Sequence, residues 1–295
     1  MDLAFGIPTE KSAPTVQFGL HKGVFREEGI ELSLRPLFSG PALAAALDTR
    51  ELKLALIGTP PAITARSHGS RFRIVGGALK QKLHLYLGAR ADLSSMAALR
   101  GSRVGLLSLG SCDEWIARVI LRRNGLDPDR DVSFVSLGST YNDVVDLIRD
   151  GEIAAAMAIE PNLSLGEAKG VLTVQAAAYE PQYLPRFQWT IIAAGENVLA
   201  EEPDLIRRFL RAYARAAQLA MVNAEEYIDL LSAEWKLPRE AIARSVARER
   251  DHYCLDCSVD VSGLEKALAV QAELGALSRP LSVADLVDLR FFASA

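Results

Sequence analysis

Apolar residues in the first two thirds of the chain fall into short unbroken runs, separated by stretches in which they recur three and four positions apart. The runs, bounded by glycine and proline, predict strands, and the spaced stretches predict helices. On this pattern "DLAFGI" is a strand, and "APTVQFGLHKGVFREEG" is a helix with Val16, Leu20, Val24 and Phe25 on one face and Gly29 as its stop. "IELSLRPL" alternates like a strand with one solvated face, and "SGPALAAALDTRE" reads as a helix with Ser39 at its N-cap. "LKLALIG" is a strand ended by Gly58, Thr59, Pro60 and Pro61, and "FRIVGGAL" and "LHLYLGA" are further strands. A βαβαβ order predicts a mostly parallel sheet covered by helices.

A second unit of the same kind begins near Leu99. "GSRVGLLS", "VSFVSLG", "IAAAMAIEP" and "QWTIIAAG" are its strands, with "CDEWIARVILRRNG" and "STYNDVVDLIRDG" as helices between them. Beyond residue 200 the pattern turns helical, through "EPDLIRRFLRAYARAAQLAMVNAEEYIDLLSAEW", "PREAIARSVARER", "VSGLEKALAVQAELGAL" and "SVADLVDLRFF". Two α/β units and a helical last third predict two lobes joined by crossovers near 82–89 and 185–192. The expected division is 1–85 with 190–295 as the first lobe and 86–189 as the second, the final helices packing on the first. Open α/β sheets bind ligands beyond the carboxyl ends of their strands, so the expected ligand cleft lies between the lobes.

Composition narrows the function. The chain has 295 residues, 49% hydrophobic and 24% charged, which is the balance of a globular protein with a sizeable core. A formal net charge of −4 argues against nucleic acid as a partner. No apolar run is long enough for a transmembrane segment. "MDLAFGIPT" opens on a strand, without the basic and apolar regions of a signal peptide. The chain is therefore expected to be cytoplasmic, or periplasmic if a signal was removed. Three cysteines are an odd number and disfavour a disulfide framework.

The segments "HKGVFREEGIELSLRPLFSGPALAAAL", "LKLALIGTPPAI", "LRGSRVGLLSLGS", "GEIAAAMAIEP" and "EPDLIRRFLRAYARAAQ", in this order and spacing, resemble the type II periplasmic solute-binding proteins. The branch it is most similar to holds sulfonate, nitrate and taurine binders and a thiamine-pyrimidine group. The resemblance implies a two-lobed α/β fold and a small organic ligand, sulfonate-like or nitrogen-heterocyclic, held by hinge closure. It implies an ABC transporter permease as partner and no cofactor. The branch also contains cytoplasmic enzymes, among them a sulfinate desulfinase with a cysteine in the loop after its first strand. Here that loop, "GIPTEKSAP", has no cysteine, and the cysteine-rich iron motif of the fungal pyrimidine synthases is absent. The alternative function is accordingly a lyase or hydrolase on the same fold, acting on a small aromatic or heterocyclic acid with Cys112, His84 and Glu160 as reacting groups.

Strand ends nominate the ligand-binding residues: Pro8, Thr9 and Glu10; Phe38, Ser39 and Gly40; Gly58 and Thr59; Ser108, Gly110, Ser111, Cys112 and Asp113; and Glu160. Trp189, beside Gln188 at the second crossover, is placed to stack on a planar ligand or to fill the wedge between the lobes. Ser111 and Glu114 have the spacing of a capping box, which on its own explains the helix mouth at "GSCDEW". A helix end lowers a thiol pKa while the neighbouring acids Asp113 and Glu114 raise it, so Cys112 is expected to stay mostly protonated and the two acids to favour an amine or a ring nitrogen. "DHYCLDC" offers His252, Cys254 and Cys257, but structural zinc wants a second such pair and none exists, so no metal is expected.

Overall fold

A computed structural model of the chain describes residues 1–79 and 84–291. The first crossover expected near 82–89 begins outside these residues. The chain runs through β1 (Asp2–Ile7), α1 (Pro14–His21), α2 (Val24–Glu27), β2 (Glu31–Pro36), α3 (Gly40–Asp48), β3 (Leu54–Gly58), α4 (Thr59–Ser67) and β4 (Phe72–Leu79). It continues through β5 (Tyr86–Arg90), β6 (Ser102–Leu106), α5 (Cys112–Arg123), β7 (Val132–Ser136), α6 (Val144–Arg149), β8 (Ala155–Ala158), α7 (Asn162–Ala168) and β9 (Leu172–Ala177). The last part holds β10 (Thr190–Gly195), α8 (Glu196–Glu201), α9 (Pro203–Val222), α10 (Ala224–Trp235), α11 (Arg239–Glu249), α12 (Val261–Glu273) and α13 (Val283–Leu286).

The strands form two five-stranded sheets, ordered β2-β1-β3-β10-β4 and β7-β6-β8-β5-β9. The expected parallel core is present in each: β1 runs parallel to β2 and β3, and β6 to β7 and β8. Each sheet is nevertheless mixed. β10 is antiparallel to β3 and β4, and β5 is antiparallel to β8 and β9. Both are the first strand after the chain passes from one sheet to the other, so they enter from the opposite end.

Local chemistry accounts for the element boundaries. Gly23 adopts a φ of 75°, which splits the single helix expected after residue 13 into α1 and α2. Ser39 caps α3, its Oγ accepting from the Ala42 N–H at 3.3 Å. Thr59, Pro60 and Pro61 open α4 rather than merely stopping β3, because proline at the first turn gives up an N–H that has no intrahelical partner. Asn223 divides the long predicted helix into α9 and α10. α7 and β9 lie in the stretch between "IAAAMAIEP" and "QWTIIAAG", where the pattern predicts no element.

α9 anchors the helical third. It buries Leu205, Ile206, Phe209, Tyr213, Ala216 and Ala220 along one stripe, and Phe209 meets Phe5 of β1 at 4.8 Å between ring centroids. Each such side chain contributes roughly 1.5–3 kcal/mol on burial. α9 also packs on α1, where Gly19 permits the approach: a Cβ there would stand 2.5 Å from that of Ala216. α12 and α13 pack against α4 and β4 of the first sheet, whereas α11 reaches across to α7, which flanks the second. The last third therefore touches both halves of the molecule. No helix among the described residues is long and apolar enough to cross a membrane.

Candidate functional site

The parallel strands of both sheets direct their carboxyl ends towards one cavity of about 100 Å³. Its wall takes Pro8 and Thr9 from the loop after β1, Gly40 from the start of α3, and Gly58 from the end of β3. Across from these come Ser111, Cys112 and Asp113 at the mouth of α5, Glu160 after β8, and Trp189 just before β10. Gly58 is needed for closeness, since a Cβ on it would come within 3.0 Å of the Cys112 Cβ.

Six other nominated residues lie off the wall, each with a reason. Ser39 is occupied as the cap of α3, and Phe38, at φ 53°, shapes the turn that precedes it. Thr59 is fully buried and donates its hydroxyl to the Trp189 carbonyl at 2.8 Å, which ties α4 to the crossover. Glu10 accepts from the Asn142 amide at 2.7 Å on an exposed rim. Ser108 spends its hydroxyl on Ser111 Oγ at 2.5 Å, and Gly110, at φ 75°, donates its N–H to Glu114 at 2.6 Å. His84, the other residue of the enzymatic alternative, is buried behind the wall between the rings of Trp189, Tyr179 and His252.

The capping box at "GSCDEW" does not form. Ser111 makes no cap bond to its own helix, and its Oγ instead accepts from the Gly40 N–H at 3.1 Å. That bond ties the mouth of α5 to the mouth of α3, across the cavity. Glu114 turns back to Gly110 and is held by Arg118 at 3.0 Å, away from the thiol. Asp113 points inwards. Its Oδ2 accepts from the Leu107 N–H, while Oδ1 makes no hydrogen bond of good geometry among the described residues, the N–H groups of Asp113 and Glu114 acting on the carboxyl only as nearby dipoles. The residue is only 4% exposed. Burial pushes its carboxyl up to about 7, against the pull of the N–H groups of Leu107, Asp113 and Glu114.

The Cys112 thiol is pushed well above its ordinary value, first by burial and second by Asp113, with the Trp189 side chain opposing. The expectation of a protonated thiol rested on two acids offsetting a helix end, but burial is the larger cause and Glu114 takes no part. Glu160 is also raised by burial, and Arg248 opposes the shift through a 2.7 Å ion pair. The "DHYCLDC" thiols serve packing: Cys257 Sγ donates to the Leu210 carbonyl at 3.5 Å, and Cys254 Sγ lies 3.1 Å from an Asp256 oxygen. No group of three or more metal-ligating side chains occurs among the described residues. Gln188 braces the second crossover, donating to Leu79 and Thr190 carbonyls and accepting from the Asp260 N–H.

Much of the wall comes from residues the sequence did not nominate. Lys11 lines it, with its ammonium lowered by burial. Tyr141 lies on the second-sheet side, and Tyr213, Tyr227, Trp235, Glu249 and Tyr253 come from the helical third. Among the described residues, Thr9 Oγ1, Thr190 Oγ1 and Trp235 Nε1 are buried on the wall without partners, alongside Asp113 Oδ1. The resulting surface is largely apolar and aromatic, with a few polar atoms left to be satisfied, which is the composition of a small-molecule site.

Two sheets, each with a parallel core and an antiparallel strand that enters directly after a crossover, with a cavity at their shared strand ends, define the periplasmic-binding-protein fold. Residues 16–227 match the family described as NMT1/THI5 like, and the chain belongs to it. A Bacillus subtilis relative named "Putative binding protein YtlA" is 22% identical over 72% of this chain. The match spans 64% of that relative, less than two thirds of its length. Among solved structures, the alkanesulfonate-binding protein SsuA from Xanthomonas axonopodis pv. citri bound to MOPS is similar at a TM-score of 0.80 and 17% identity, covering 97% of this chain and 98% of that one. A DszB variant in complex with biphenyl-2-sulfinic acid is similar at a TM-score of 0.70 and 15% identity, covering 99% and 97%. At these identities the two structures show a shared fold.

Proposed function

We propose that this chain is the solute-binding component of an ABC-type importer, working outside the cytoplasm and delivering a small nitrogen-bearing organic solute to a permease. Residues 1–85 with 190–295 act as one lobe and 86–189 as the other, and the solute favours the closed state by touching both. The observation that carries this reading is Asp113: a buried carboxyl on the cavity wall with one oxygen unpartnered. Such an atom costs free energy until a donor meets it, and a protonated amine or a heterocycle bearing N–H groups supplies one.

Among the described residues an anionic head would find one cation on the wall, Lys11, whose charge burial disfavours, and is otherwise the poorer fit. The free N–H at the mouth of α3 is already given to Ser111, and the mouth of α5 is fronted by Asp113. Binding is favoured over turnover because the Cys112 thiol is held protonated and His84 stands off the wall. A thermal-shift screen tests the proposal. Aminopyrimidines and benzylamine should raise the melting temperature of the wild type and of Cys112→Ser but not of Asp113→Asn. Stabilisation by alkanesulfonates that persists in Asp113→Asn would reject it.

A further inference from the structure

The cavity does not end at Asp113. It continues between α10 and α11, where Glu249 lies on the wall among Tyr227, Tyr253 and Trp235. Glu249 is 8% exposed, and among the described residues its side chain takes a single hydrogen bond, from the Tyr253 hydroxyl to Oε2 at 3.3 Å, leaving Oε1 without one. Its neighbour Glu160 is fully engaged: Oε1 accepts from Ser164 Oγ at 2.8 Å and from Arg248 at 2.7 Å, and Oε2 accepts from the Ser164 N–H at 3.0 Å. Arg248 divides itself between Glu160 and Glu167, the latter also at 2.7 Å, and stacks over Tyr86. One guanidinium thus faces three carboxyls, and the one it does not bridge is the one with a free oxygen.

We propose that this end of the cavity is a second cation subsite, with Glu249 as its carboxylate and the surrounding aromatic side chains as its wall, so that the solute carries two separated basic nitrogens. This rests on the reading of Asp113 as the first nitrogen site. An ammonium entering here would pair with Oε1 and gain from the faces of nearby aromatic rings. Burial and the charge of Glu160 push the Glu249 carboxyl up to about 8, so it is largely protonated at neutral pH. Pairing with an ammonium must release that proton to the buffer. Besides Glu160, the ionisable groups facing Glu249 are Tyr253, Tyr227 and Tyr86, which stay neutral in this range, and Arg248, which stays charged.

Three probes separate the possibilities by titration calorimetry on the full chain: benzylamine, para-(aminomethyl)benzyl alcohol and para-xylylenediamine. The diamine should bind about tenfold or more tighter than either of the others, the scale of one charge-assisted hydrogen bond. It should also release more protons than benzylamine when titrated in buffers of different ionisation enthalpy. Glu249→Gln, an uncharged isostere, should remove the advantage of the diamine. An alcohol that binds as tightly as the diamine would make this end a neutral polar pocket and overturn the proposal. Equal affinity of all three, with benzylamine still dependent on Asp113, would overturn the second subsite while leaving the first reading in place. Failure of every probe to bind would overturn both.

Discussion

The residue that sets the character of this cavity is Asp113, and its effect is visible without any ligand. Its carboxyl titrates near 7 in the folded chain against an ordinary 3.8. The folded state therefore holds a proton that the unfolded chain gives up. That contribution to stability is complete below about pH 4 and is lost as the pH rises through about 7. Asp113→Asn cannot ionise, and an amide can still accept from the Leu107 N–H. The melting temperature of the variant relative to wild type should therefore climb between pH 5 and pH 8, and a difference independent of pH would show that the carboxyl is not strained. Glu160 and Glu249 are raised in both proteins and cancel in the comparison. The sequence exposed this residue through its position at a strand-to-helix turn. It did not show which way the neighbours face: Glu114 pairs with Arg118 and Ser111 crosses to Gly40, because partners on another element compete with the local cap.

Among the elements, α9 is the one whose placement the rest depend on. Its stripe of Phe209, Tyr213 and Ala216 seals the first sheet and brings Tyr213 to the cavity. Gly19→Ala should force α1 and α9 apart, costing about 1–3 kcal/mol as overpacking does, and chemical denaturation would read it. A loss below about half a kcal/mol, the scale of an ordinary surface change, would show that the crossing has slack. Strands and helices of the first two thirds were legible because their patterns are clean: β3 is buried along its whole length and α3 carries its own cap. The aromatic wall was not. Tyr213, Tyr227 and Trp235 recur at helical spacing, and a helix seen as sequence does not say whether such a stripe faces a core or a cavity. Nor could pairing direction be read for β5 and β10, since it is fixed by the end from which each strand enters its sheet.

At the scale of the whole molecule, the two sheets share apolar packing, from Leu43 and Ile57 to Leu106 and Ile116, and are tied across the cavity by a small set of polar contacts. Ser111 to Gly40, Glu10 to Asn142, and Arg248 to the pair Glu160 and Glu167 are the polar ones named above. Under the proposed function, a solute bound between the sheets adds its own contacts to these and so favours the closed state. The two-lobed fold could be expected from the repeated βαβ order; the role of α11, which leaves the first half to grip α7 of the second, could not. The most direct test of the account is the affinity of benzylamine for wild type and Asp113→Asn, measured by calorimetry from about pH 5 to pH 8. The account predicts that wild-type affinity rises by up to about tenfold per unit until the carboxyl is ionised near 7 and then levels, while the variant binds weakly and without that rise. Equal affinity in the two proteins, or wild-type binding that strengthens as the pH falls, would contradict it.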